Sequence, residues 1–548
     1  MRRRHIRFTT DWLAWPGATF TMPSSFPTTP SMLATPPGHR LSATLRRHGP
    51  LLLIVGFTLL RLGLAAFTPL LPQEAYYWSW SRHPAASYFD HPPLASWMIA
   101  ASTAVFGSTT FGIKSAAVVW SLGWNLLWLR LILDMYGDRR LAFWSLLALN
   151  LTLVYEAYAI GPTPDGPLLF GWVGTIWAVW RAGASGRPGW WLLAGVFAGL
   201  GLLGKYAAVL LLPVVLLFLV ATPAQRHWLR RPWPYLAMLV AAAMFAPVVA
   251  WNAEHQWVSF AFQGSRRAGQ MAAFKPRYFI VLLATQLLLV TPWLFGLSLT
   301  ALWRAAREAI AGLATERTRL LLFSAAVPLL LFTTVSLRSL VKINWLAPAY
   351  WSLIILGIHQ WLQRGASLRR LGWGLASSAA VAVLALAASV TPNLPIAGDM
   401  NSWSGWKEAA QRVDQLSRAA HADGQASFVF SPNYKISSLL RFYLPGQPRT
   451  YAQDIYGAPA LQYDYFALDS DLKGATGILV LSDQSQSQLD LARVAPYFET
   501  LERVDVLETK AFGRVTRRIE IYRGTHYKGH PRLDPHRIAP ADDAGDGE

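Results

Sequence analysis

LLLIVGFTLLRLGLAAFTPL, residues 51–70, carries a single charge, Arg61, in twenty positions. A helix of that length rises about 30 Å, the thickness of a bilayer's hydrocarbon core, and it satisfies its own backbone there. The stretch therefore reads as a membrane span. Arg61, in its middle, must face the protein interior and find a partner, which assigns it a structural role. Comparable apolar runs recur outward from it at 111–135, 141–160, 166–182, 189–203, 206–221, 234–252, 278–302, 320–337, 343–362 and 371–391. A polytopic α-helical membrane protein of about eleven transmembrane helices is expected. Leu94–Phe106 is apolar but too short to cross, so it is assigned to the interface.

Composition agrees. The chain has 548 residues, 53% hydrophobic and 14% charged, where a soluble domain carries about 25% charged residues. There are no cysteines, which excludes disulfides, thiolate catalysis and cysteine-bound metal. The formal charge of +19 would suggest nucleic acid in a soluble protein; here its placement reports topology instead, and no nucleic-acid partner is expected. Residues 1–50 are rich in Arg, Pro, Ser and Thr, with no apolar core before Leu51. They read as a disordered cytoplasmic tail, or as the product of a start codon assigned too far upstream, and no cleavable signal peptide is expected. Residues 51–392 form the membrane domain. From about Pro395 the sequence becomes that of a soluble domain, 393–525, and a Pro-, Asp- and Gly-rich tail, 526–548, is expected to be disordered.

Basic residues in short loops set orientation. With the N-terminus inside, the inner loops hold Arg139, Arg140, Arg181, Arg187, Arg226, Arg230, Arg231, Arg304, Arg307, Arg317 and Arg319, whereas the loop from 71 to 110 has only Arg82 among its arginines. An odd number of spans then leaves the C-terminal domain outside. Glu74, Asp90, His91, Asp165, Lys205, Arg266, Arg267, Arg338 and Lys342 all fall on that outer side. The basic ones among them break the bias of the rest, which points to an anion-binding site.

Glu74 follows the first span directly, among Tyr76, Tyr77, Trp78 and Trp80. A shielded interface disfavours the charged form of a carboxyl and so strengthens it as a base; the competing reading is an aromatic belt with a solvated carboxylate. Asp90-His91-Pro92-Pro93 fixes its backbone with two prolines. His91 can donate to a phosphate oxygen or join Asp90 at a divalent metal, and Asp90 can equally cap the helix that follows. Asp165 is the one acid in the turn Gly161-Pro162-Thr163-Pro164-Asp165, where helix capping and catalysis have even odds. Glu156, nearer the end of the preceding span, is a weaker candidate. Lys205 interrupts Gly204-Lys205-Tyr206, and Arg266 and Arg267 lie in a long outer loop. All three suit phosphate, as they suit headgroup anchoring.

Glu74-Ala75-Tyr76-Tyr77-Trp78, Tyr88-Phe89-Asp90-His91-Pro92-Pro93-Leu94, Thr163-Pro164-Asp165 and Gly204-Lys205-Tyr206 together resemble the bacterial protein-mannosyltransferase-like glycosyltransferases. That group is family 39 of the GT-C fold and includes the lipid A aminoarabinose transferases. Trp251-Asn252, Phe262-Gln263 and Asn344-Trp345 are also similar to it, and the resemblance covers roughly 50–390. It implies that a polyprenyl-phosphate sugar donor binds with its tail in the bilayer and its phosphate at the outer interface of the bacterial inner membrane. A carboxylate deprotonates the acceptor hydroxyl, the sugar is transferred with inversion, and basic groups receive the leaving phosphate. By motif position Asp165 matches the second-loop acid and Glu74 the second member of the first-loop Asp-Glu pair. Asp90 matches the acid before the Lys or His that precedes Pro-Pro, a place His91 fills. Tyr77, His91, Lys205, Arg266 and Arg267 become donor-binding candidates. Gln73 stands where the family has the first acid and cannot accept a proton, so Glu74 and Asp165 are expected to act together. The acceptor is a lipid or glycan, with glycolipid or lipid A favoured over protein.

In the C-terminal part, Trp406–Arg418 and Lys435–Tyr443 read as helices, Ser427–Phe430 and Gly477–Leu481 as strands, and Val504–Tyr522 as a hairpin. A small α/β domain that covers the site or selects the acceptor is expected. The rival readings are a transporter or flippase of a lipid-linked anion, which predicts inverted repeats and charges deep in the bilayer, and a non-catalytic lipid-binding relative, which Gln73 keeps open.

Overall fold

Prolines, glycines and short polar side chains punctuate the apolar runs, and the computed structural model shows which of them stop a helix. It describes residues 37–270, 274–391, 405–466, 472–482, 487–511 and 513–530. The remainder of both expected tails, and the boundary expected near 392, lie outside the described residues. The chain divides into two units, Met1–Leu45 and Arg46–Glu548, and the architecture below is that of the second.

The helices, in chain order, are α1 (Pro37–Phe67), α2 (Pro72–Ser81), α3 (Leu94–Phe106), α4 (Thr110–Tyr136), α5 (Arg139–Asn150), α6 (Leu153–Ile160), α7 (Asp165–Ser185), α8 (Gly189–Gly204), α9 (Leu211–Ala221), α10 (Trp233–Glu254), α11 (Val258–Gln270), α12 (Arg277–Val290), α13 (Pro292–Ile310), α14 (Glu316–Ser336), α15 (Ala347–Gln363) and α16 (Leu368–Val390). Thr109 caps α4 by accepting the Gly112 N–H at 3.0 Å, and Gly137 ends it in the left-handed conformation. Asp138 then caps α5 through the N–H groups of Arg140 and Leu141.

Each of the eleven expected segments coincides with a helix or a pair of helices. Five described helices are long and apolar enough to cross a membrane, or up to eight if each of three bent pairs is one span. Two of those pairs were expected to be continuous. The run at 278–302 breaks by 110° where Thr291 takes φ 72° ahead of Pro292, because proline disfavours a helical residue before it. The run at 141–160 bends by 73° between α5 and α6. α8 is one of the shorter apolar helices, and α3 matches the expected interfacial segment.

Glycines let α7, α8 and α10 approach. A Cβ at Gly171 would lie 2.5 Å from the Gly201 backbone nitrogen and from the Phe197 carbonyl oxygen, and one at Gly195 would lie 2.4 Å from the Ala237 carbonyl oxygen. Small residues at such crossings are how membrane helices gain packing energy without a hydrophobic drive between them. Gly171→Ala meets backbone rather than a movable side chain, so it is expected to cost about 1–3 kcal/mol. A lowered thermal unfolding midpoint in detergent would show it.

The C-terminal part builds α17 (Trp406–Ala422), α18 (Tyr434–Tyr443), α19 (Ser487–Val494) and strands β1 (Ser427–Phe430), β2 (Thr450–Tyr451), β3 (Thr476–Ser482), β4 (Thr500–Ala511) and β5 (Arg514–Thr525). The sheet runs β2-β1-β3-β5-β4, with β1 parallel to β2 and β3 and the β4–β5 hairpin antiparallel to β3. All five elements expected from the sequence are present. This part shares one hydrophobic core with α2: Leu70, Ala75, Tyr76 and Trp78 pack with Trp406, Ile436, Leu439, Phe442 and Tyr463.

Candidate active site

Pro72 starts α2, where its missing N–H costs nothing. Glu74 closes that first turn by accepting the Leu71 N–H at 2.9 Å. Its carboxylate is 2% exposed and accepts 2.7 Å hydrogen bonds on both oxygens from Lys114 Nζ in α4, which is 3% exposed. Glu74 Oε1 also packs against the turn that follows α6, since a Cβ at Gly161 would lie 3.2 Å from it.

That turn leads from α6 through Gly161, Pro162, Thr163 and Pro164 to Asp165, the first residue of α7. Asp165 is buried, and both its oxygens are engaged. Lys205 Nζ donates to Oδ1 at 2.8 Å and Asn344 Nδ2 donates to Oδ2 at 2.9 Å. Lys205 reaches it because α8 ends in extended backbone there, and because Gly204 has no side chain to hold it off the Leu168 nitrogen and Pro167. Tyr158 donates to the Asn344 carbonyl at 2.9 Å, fixing the loop that carries Asn344. Sequence reading offered Lys205 to a phosphate; the structure gives it Asp165 as partner.

Beside Glu74, α2 buries the aromatic side chains Tyr76, Tyr77, Trp78 and Trp80. Burial pushes the Tyr77 phenol well above its usual range; the Asp90 charge adds to this, a hydrogen bond with Gln73 opposes it, and the Asp165 charge raises it further. Tyr77, one turn after Glu74, therefore senses Asp90 and Asp165 together. Burial and then the Asp90 charge raise the Tyr76 phenol in the same way. Tyr77 and His91 rings lie 6.3 Å apart. Gln263 donates to the Asp90 carbonyl at 2.9 Å, so α11 runs beside the Asp90-His91 loop. The side chains of Arg266 and Arg267, also on α11, lie outside the described residues. Among the described residues no group of three or more His, Asp or Glu side chains comes together to hold a metal ion, so Asp90 and His91 do not belong to a larger ligand set there.

The structure thus holds two buried carboxylate–lysine pairs, Glu74 with Lys114 and Asp165 with Lys205. The family model for dolichyl-phosphate-mannose-protein mannosyltransferases matches residues 90–251, the stretch that contains Lys114, Asp165 and Lys205. Among solved structures the fold is similar to the ArnT protein of Cupriavidus metallidurans in its apo state, with a TM-score of 0.58, 16% identity, and 87% of this chain and 98% of that one covered. The undecaprenyl phosphate-bound form of that protein superimposes with a TM-score of 0.55. This chain shares their fold. The lipid A galacturonosyltransferase RgtD of Rhizobium johnstonii is 26% identical over 79% of this chain and 90% of that protein. An undecaprenyl phosphate-aminoarabinose arabinosyl transferase of Pseudomonas aeruginosa is 34% identical, but the match spans only 29% of its length.

Sequence alone does not single out Lys114. A lysine among apolar residues near a helix start was its only signal. Tyr158 and Gln462 gave none. Gln462, from the C-terminal part, donates its backbone N–H to the Tyr76 hydroxyl at 3.1 Å and accepts the Phe89 N–H at 2.7 Å. Arg61 has found its partners, Glu156 and Asn150 Oδ1 at 2.5 Å, which turns Glu156 from a weak catalytic candidate into part of a buried clasp.

Proposed function

We propose that this protein transfers a sugar, with inversion, from a polyprenyl-phosphate carrier to a hydroxyl of lipid A or a related glycolipid at the outer face of the bacterial inner membrane. The observation that carries the reading is Asp165, a carboxylate clamped between Lys205 and Asn344 within an aromatic-lined outer rim. In this scheme Asp165 takes the proton of the acceptor hydroxyl. The freed oxygen attacks the anomeric carbon, the bond from that carbon to the phosphate oxygen breaks, and polyprenyl phosphate leaves with the electron pair. Glu74 acts with Asp165 as the second carboxylate of the rim. His91, Tyr77, Arg266 and Arg267 bind the donor, with the arginines receiving the leaving phosphate. Lys205 holds Asp165 in reach of both substrates.

Eleven passes, counting α7, α8 and α15 with the eight spans, put the N-terminus inside and the C-terminal domain outside. That domain, packed on α2, covers the rim and helps select the acceptor. The printed activities of RgtD and of the arabinosyl transferase support a lipid A acceptor and an undecaprenyl phosphate-linked donor. Mass spectrometry of envelope lipids from a deletion strain is expected to show loss of a lipid A species heavier by one sugar. A change confined to glycoproteins would move the acceptor to protein, and unchanged lipids and proteins alike would remove the transferase reading.

A further inference from the structure

Lys114 is buried in α4, and no step of the transfer scheme uses it. Its ammonium is spent entirely on Glu74, with 2.7 Å bonds to both oxygens. Burying two charges in this way is costly unless the geometry repays it, and a plain apolar contact would have joined α2 to α4 at no such cost. What the pair adds is a fixed point. Glu74 caps the first turn of α2 and presents Oε1 to Gly161. From Gly161 to Asp165 the chain is short and stiff, with Pro162 and Pro164 in the turn and hydrogen bonds from Thr163 N to Gly161 O and from Gly166 N to Thr163 O. Where Gly161 sits therefore decides where Asp165 sits.

We propose that Lys114 is a positioning residue for sugar transfer: by locking Glu74 it sets the 161–165 turn, and through that turn the reach of Asp165 towards the acceptor hydroxyl. The inference rests on Asp165 as the base. It also gives Glu74 a definite share in the joint work of the two carboxylates: Glu74 places the turn, and Asp165 moves the proton.

The test uses the full chain in lipid nanodiscs with a polyprenyl-phosphate sugar and lipid A. Lys114→Met leaves a carboxylate buried without its cation, and Glu74→Gln leaves a buried cation without its carboxylate. Each is expected to lower kcat by roughly 10–100-fold, the scale of a misplacement of about 1 Å, with little change in KM for the donor. E74Q/K114M removes both charges while its Gln side chain still fills the space against Gly161. It is expected to regain at least about tenfold in kcat over K114M, since deleting a whole buried pair costs far less than deleting half of it. A folded double variant no more active than K114M would overturn the proposal, as would wild-type kcat in K114M. Should K114M fail to reach the membrane, the double variant carries the test alone: kcat within about tenfold of wild type supports the proposal and a larger loss in a folded protein overturns it. Asp165→Asn separates this inference from its premise. If D165N still transfers sugar, the base assignment fails; if D165N is inactive and the double variant is inactive but folded, only the role of Lys114 fails.

Discussion

Asp165→Asn is expected to lower kcat for sugar transfer by about 10²–10⁴-fold, the usual contribution of a positioned base, while the protein stays folded and inserted. The substitution is close to isosteric. The amide oxygen still accepts from Lys205 or Asn344, so α7 and α8 keep their tie across the rim, but the side chain can no longer take a proton from the acceptor. Lys205→Met is the natural companion, because it leaves the carboxylate in place and removes the donor 2.8 Å from it. If Lys205 orients Asp165, both variants lose kcat with KM for the donor little changed. If Lys205 instead grips the donor phosphate, K205M raises KM. Initial rates against donor concentration in nanodiscs separate the two, and a D165N protein with wild-type kcat would remove Asp165 from the chemistry.

Arg61→Met is expected to destabilise the protein by about 3–5 kcal/mol, the cost of stripping one partner from a buried ion pair. Arg61 is 1% and Glu156 14% exposed, and Arg61 also donates to Asn150, whose amide in turn donates to Asn125 Oδ1 at 2.8 Å. Met fills the space of the arginine stem, so the loss measures the stranded carboxylate rather than a cavity. R61M/E156Q is expected to recover most of the stability. Thermal unfolding of detergent-solubilised wild type, single and double variants decides this, and equal midpoints for R61M and wild type would show that the clasp contributes nothing.

Much of this architecture was readable from pattern. The apolar runs announced their helices, the short apolar segment Leu94–Phe106 forms a helix with those bounds, and the strand Ser427–Phe430 lies where four consecutive residues stand between polar breaks. Hydropathy was silent about the sharp turn at Thr291, because proline inside a membrane run is common and only the backbone angle reveals whether the helix continues. Asp165 and Glu74 stood out because acids beside apolar spans are rare. Their pairings did not, since Lys114 and Lys205 are each 40 residues away along the chain and Asn344 is 179. No periodicity links such positions; only packing does. For the same reason Lys205 reads from sequence only as a phosphate or headgroup ligand, and the carboxylate facing it appears only in the structure.

The core that α2 shares with the C-terminal part has a consequence for biosynthesis. Tyr76 meets Gln462, 386 positions further along the chain, so the helix carrying Glu74 emerges from the ribosome long before the residues that pin it. At the usual pace of translation the interval is on the order of tens of seconds, during which the membrane helices can be inserted but α2 lacks its partners. That end of the molecule is thus packed last, and ribosome-bound chains ending before the helix of residues 434–443 would sit in the bilayer with Tyr76 and Trp78 uncovered by Leu439 and Phe442.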